Sequence, residues 1–238
     1  VVLLLATLVL GPTFNGAKRW LSFGLFTIQP LEMSKIALVL YLAYFMGTKR
    51  ELKKTFRRGI IPPFAVTGLL CGLLLLQPDF GGAALLVFLL FFMCLVGGCR
   101  LIYLIISAAF AVGGAALLIW KEPYRFKRLL SFMDPESDPL NSGYQVLQSL
   151  YAIGSGGVTG VGLGASKQKL LFLPESYTDF TMAILGEELG FVGMSLFFFL
   201  FGMFLWRAFL VSFRQDEIID RLASFGITMM FAISAVLN

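Results

Sequence analysis

Three successive runs of 20 residues, Gly59–Pro78, Phe80–Cys99 and Leu101–Trp120, carry no charged side chain. As helices each is about 30 Å long, the thickness of a bilayer's hydrocarbon core. Leu189–Trp206 adds 18 uncharged residues, and its helix is expected to begin near Thr178. Ile36–Thr48 adds 13, which become a span when extended back through Glu32 and Lys35. Inside lipid a backbone must satisfy its own polar groups, and apolar runs this long do so as helices. The composition agrees, with 58% hydrophobic and 14% charged residues against roughly 45–50% and 25% in soluble domains. We therefore expect an all-α, polytopic transmembrane bundle. Val1–Leu10 is too short to cross alone, and Leu222–Asn238 ends without a cap or a basic flank. Residues 1–238 thus read as one membrane domain, a fragment of a larger protein truncated at both ends.

Orientation follows from the short basic loops. Thr48–Arg58 holds Lys49, Arg50, Lys53, Lys54, Arg57 and Arg58 against a lone Glu51, which marks it as cytoplasmic. Counting crossings from there makes Lys121–Tyr177 one long extracytoplasmic loop. The net charge of +5 lies beside apolar runs, where anionic lipid accounts for it and nucleic acid is not needed. The chain has no histidine. That excludes histidine acid–base chemistry, the hydrolytic triads built on it and most zinc sites. Cys71, Cys94 and Cys99 lie in or at the ends of apolar segments, have no metal-binding spacing, and read as small hydrophobes.

The long loop carries the remaining polar chemistry. Val146–Ile153 is amphipathic enough for a short interfacial helix. Six glycines follow within 11 residues, from Gly154 to Gly164. Such a run either cradles an anion with backbone amides or simply links two helices. Lys167 and Lys169 come next, suited to a diphosphate and equally to lipid headgroups. Thr178 is a natural N-cap, which sets Asp179 in the first helical turn, where a carboxylate needs no further function. Glu187 lies eight residues on, about 12 Å down the helix, too far to pair with Asp179, so Glu187 and Glu188 are secondary candidates. Ala183, Gly186 and Gly190 share that side, a stripe of small residues suited to close helix packing. Glu32 and Lys35, three apart on a span, form an ion pair facing a cavity or a purely structural pair.

The segment GYQVLQSLYAIGSGGVTGVGLGASKQKLLFLPESYTDF from Gly143, with AILGEELGFVG from Ala183, closely resembles the signature of the SEDS (shape, elongation, division and sporulation) family of peptidoglycan polymerases. GAKRW at Gly16–Trp20 and QPLEMSKIALVLYLA from Gln29 match as well. The pattern is more similar to the division members (FtsW) than to the elongation members (RodA). The resemblance implies a bundle of about ten helices, of which this chain holds part, in the bacterial cytoplasmic membrane with its active site on the extracytoplasmic side. It implies polymerisation of lipid II, an undecaprenyl-diphosphate-linked disaccharide-peptide, onto a nascent glycan during septal cell-wall synthesis. Asp179 is then the essential carboxylate, as a base or as a ligand of Mg²⁺ or Mn²⁺. Trp20, Arg19, Glu32 and Lys35 become substrate-binding, as do Lys167, Lys169, Gly156 and Gly157. A class B penicillin-binding protein transpeptidase and other divisome proteins are the implied partners. The alternative is a lipid II flippase, which needs polar groups through the membrane depth, such as Glu32, Lys35 and Asp79. A carboxylate at the outer mouth beside a phosphate-binding loop favours the polymerase.

Overall fold

The computed structural model describes residues 1–13, 17–22, 26–48, 56–121, 134–135, 143–168 and 181–237, without the side chains of 115 and 117–121. Asp179, Lys169 and Thr178, the expected N-cap, lie outside the described residues. In chain order the elements are α1 (Val2–Leu10), the strands β1 (Leu21–Ser22) and β2 (Thr27–Ile28), and α2 (Pro30–Thr48). One π-turn (Phe56–Ile60) then runs into α3 (Ile61–Leu76), followed by α4 (Phe80–Val96) and α5 (Leu101–Lys121). The last three are α6 (Tyr144–Gly156), α7 (Thr181–Phe213) and α8 (Ile218–Leu237).

The all-α expectation holds. Four described helical segments are long and apolar enough to cross a membrane: Pro30–Thr48, Phe56–Leu76, Thr181–Phe213 and Ile218–Leu237. The uncharged runs fall on α3, α4 and α5, and α2 does extend back through Glu32 and Lys35. The antiparallel pairing of Leu21 with Ile28 and Ser22 with Thr27 was not foreseen, because two-residue strands leave no periodicity to read.

The chain forms two compact units, Val1–Ala108 with Leu205–Asn238, and Ala109–Phe204. The first has an extensive core. Leu38, Leu42 and Met46 of α2 bury against Leu86, Leu89 and Met93 of α4, with Leu222, Met230 and Ile233 of α8 alongside. Gly226 lets α8 approach closely, since a Cβ there would stand 2.6 Å from Val39 Cγ1 and 2.8 Å from Met93 Sδ. Within lipid, such small-residue contacts supply packing that apolar burial alone does not. The second unit pairs α6 with the first turns of α7 through Ala152 and Ala183, both buried.

Candidate active site

In the first unit, polar groups gather where α2 and α4 begin and α3 ends. Asp79 caps α4, its Oδ1 accepting from the Gly82 amide at 3.1 Å, and is itself buried. Gln77 is 2% exposed and donates Nε2 to the Leu4 carbonyl at 2.9 Å, tying the α3–α4 turn to α1. Arg19 donates Nη2 to Pro78 O at 2.5 Å and Nε to Gln77 O at 3.5 Å, so its guanidinium serves the same turn. Lys18 donates to Leu8 O at 3.4 Å, near the C-terminal end of α1, where a cation suits the helix dipole. Trp20 is 37% exposed. Lys35 and Glu32 form an ion pair at 2.7 Å, with the lysine side chain 7% and the glutamate 56% exposed. One buried cation is thus matched by one half-exposed anion, and the pair is structural and accessible at once.

In the second unit, α7 breaks at Gly190, whose φ of 64° is not helical. Up to that point the small-residue stripe does what its spacing suggested. A Cβ on Gly186 would stand 3.1 Å from Ile153 Cγ1, and one on Gly156 would meet the Gly186 carbonyl and stand 2.9 Å from Glu187 Cα. The break itself was not foreseen. An unbroken helix would bond the amides of Phe191 and Val192 to the carbonyls of Glu187 and Glu188. Instead those amides donate to Gly157 O at 2.9 Å and Val158 O at 3.1 Å. The two carbonyls accept from Val161 N at 3.0 Å and Gly162 N at 3.1 Å. The glycine-rich segment is spliced into the helix, and the four groups exposed by the break find partners in protein, as a lipid environment demands.

This splice changes the reading of the glycines. The amides of Gly157 and Gly160 donate to Gly154 O and Gly156 O, and those of Val161 and Gly162 to α7. Gly156 and Gly157 serve close approach and chain reversal, and the amides of Gly157, Gly160, Val161 and Gly162 are spent on main-chain carbonyls. The polar feature that the sequence reading ranked low is Glu187. It is 2% exposed, and its Oε2 accepts from Ser166 Oγ at 2.5 Å and Gln168 N at 3.4 Å, its Oε1 from Lys167 N at 3.0 Å. The side chain of Lys167 is exposed. The signal was present in the paired glutamates flanked by glycines, since a carboxylate on a packing stripe needs donors.

A family model described as a cell cycle protein, of the FtsW, RodA and SpoVE type, matches residues 1–238. The chain is 38% identical over 228 residues to stage V sporulation protein E of Bacillus subtilis, covering 96% of this chain and 62% of that protein. It is 40% identical over 242 residues to a probable peptidoglycan glycosyltransferase FtsW of Trichlorobacter lovleyi, covering 100% of this chain and 64% of that protein. Among solved structures it resembles a chain from a study of how a peptidoglycan synthase complex coordinates polymerization and crosslinking, with TM-score 0.78, 29% identity, and coverage of 99% and 65%. It also resembles the rod shape determining protein RodA of Thermus thermophilus, with TM-score 0.66, 28% identity, and coverage of 99% and 60%. The chain spans less than two thirds of the length of these relatives. With the whole of its 238 residues matched, the chain belongs to the SEDS family of FtsW, RodA and SpoVE, and is FtsW-like within it.

Proposed function

We propose that the protein to which this chain belongs is a peptidoglycan glycosyltransferase, polymerising lipid II into glycan strands for septal wall synthesis. The family match along the full chain carries this reading, with relatives named as probable peptidoglycan glycosyltransferases. The chemistry asks little of the protein. The acceptor hydroxyl oxygen bonds to the donor's anomeric carbon while the bond from that carbon to the diphosphate breaks. The diphosphate takes the electron pair and leaves without protonation once its charge is matched. Asp179 takes the acceptor proton as general base, or holds a cation beside the phosphates. Lys167 and Lys169 match the charge of the leaving group, and the family resemblance is what supports Glu32, Lys35 and Trp20 as further substrate contacts. The active site faces the extracytoplasmic side, as the basic Thr48–Arg58 loop faces the cytoplasm.

Among the described residues no three His, Cys, Asp or Glu side chains gather as a metal cage. A divalent cation, if the reaction uses one, would be held by Asp179 with the donor diphosphate, in the manner of Mg²⁺, and would neutralise phosphate charge. A class B penicillin-binding protein is the proposed partner, supported by the likeness to a chain of a peptidoglycan synthase complex. The test is polymerisation of labelled lipid II by the full-length protein, purified with that partner. Glycan ladders from the wild type and none from Asp179→Asn support the assignment. Glycan synthesis by the variant removes Asp179 from the chemistry. Lipid II translocation without any glycan, in wild type and variant alike, revives the flippase.

A further inference from the structure

Glu187 holds three separate stretches of the chain before it. Its Cα bears on Gly156, its carbonyl accepts from Val161 N at 3.0 Å, and its carboxylate takes one hydroxyl and two consecutive amides from Ser166–Gln168. Consecutive amides facing one oxygen-bearing group are an anion nest. Here the nest is filled from within. A carboxylate that is 2% exposed keeps its charge at tolerable cost only when its oxygens are hydrogen-bonded, and charge-assisted bonds are the strong ones. Both oxygens are engaged within the protein. What the clasp does present is Lys167, whose main-chain nitrogen is pinned and whose side chain is exposed.

We infer that Glu187 is a positioning residue: it fixes the main chain of Ser166–Gln168 so that the Lys167 ammonium meets the donor diphosphate from a rigid root. This rests on the glycosyltransferase reading. The physical gain is preorganisation. A lysine on an unfixed loop must lose backbone and side-chain freedom on binding, whereas one on a clasped segment loses only its own rotamers.

The experiment uses the full-length protein with its transpeptidase partner and compares Glu187→Gln, Lys167→Gln and the double variant. In Glu187→Gln one oxygen becomes an NH₂ that faces a donor, with little change in volume. Hydrogen exchange at the Lys167 and Gln168 amides should quicken. The KM for lipid II should rise about tenfold with kcat less affected, the loss of a charged hydrogen bond. Lys167→Gln alone should cost a similar factor, yet add less than about twofold on top of Glu187→Gln. Exchange unchanged in Glu187→Gln overturns the clasp. Faster exchange with fully additive kinetic costs overturns the positioning role and leaves Glu187 structural. If Glu187→Gln does not accumulate as folded protein, Ser166→Ala takes its place in the same cycle. An inactive wild-type complex removes the glycosyltransferase reading itself, whereas an active one with additive variants removes only the role of Glu187.

Discussion

The amide nitrogen of Gly160 stands where a side chain on Gly190 would begin, and a Cβ on Gly160 would in turn meet the Glu188 carbonyl. Both residues have positive φ, 80° and 64°. This mutual exclusion is what lets a loop segment enter a helix break without leaving backbone groups unpaired.

Gly190→Ala should therefore destabilise strongly. At φ 64° and ψ −166° the backbone lies in a region that is essentially glycine's own, which costs a residue with Cβ about 1–3 kcal/mol, and overlap with main chain that cannot yield adds about 1–3 kcal/mol. Gly154, in α6, has nothing within 4 Å of an added Cβ, and Gly154→Ala is the control. Thermal unfolding in detergent should show a large fall in Tm for Gly190→Ala and none for the control. Equal Tm values for the two would disprove the splice.

Arg19 separates two roles by what moves. Its bonds to Gln77 O and Pro78 O make Arg19→Ala cost about 1–3 kcal/mol of stability, and Lys at this position should recover little. A lowered Tm with an unchanged KM for lipid II is the expected result. A raised KM at constant Tm would instead return Arg19 to the substrate.

Lys35 and Glu32 should be coupled. Glu32→Gln leaves a buried ammonium unpaired, with a loss of up to about 3 kcal/mol, reduced because Glu32 is half exposed. Lys35→Met with Glu32→Gln should be more stable than Glu32→Gln alone, as measured by unfolding. If the double variant is the less stable of the two, the ion pair is not what holds Lys35.

The cation is tested directly. EDTA should stop glycan synthesis by the full-length complex, and Mg²⁺ or Mn²⁺ should restore it. Full turnover in EDTA would leave Asp179 as a metal-free base.

The helices α3, α4 and α5 were legible because an uncharged 20-residue run has one solution in lipid, although of the three only α3, with the turn before it, is among the four described segments long and apolar enough to cross. The Ala183 and Gly186 part of the small-residue stripe was legible for a similar reason, since small residues at helical spacing have little other use in a membrane, whereas Gly190 breaks the helix instead. Less visible was the partner of each feature. Nothing local in Phe191 or Val192 says that its amide will leave the helix, because that depends on a segment about 30 residues earlier along the chain. Arg19 looked like a free cation for the same reason, its acceptors being main-chain carbonyls at Gln77 and Pro78, which have no sequence signature. Glu187 stands only second to Asp179 in the sequence, because spacing gives its distance from Asp179 and says nothing of its donors.

The register of the splice constrains how this sequence can vary. Residues 157, 158, 161 and 162 meet residues 191, 192, 187 and 188 in fixed pairs. A single insertion between Gly157 and Gly162, or between Glu187 and Val192, would put partners out of step and strand amides and carbonyls together. An insertion between the two bonded stretches would enlarge a closed ring while leaving its clasp in register. Among related chains, length variation in this region should therefore fall inside the ring and avoid both of its closing stretches.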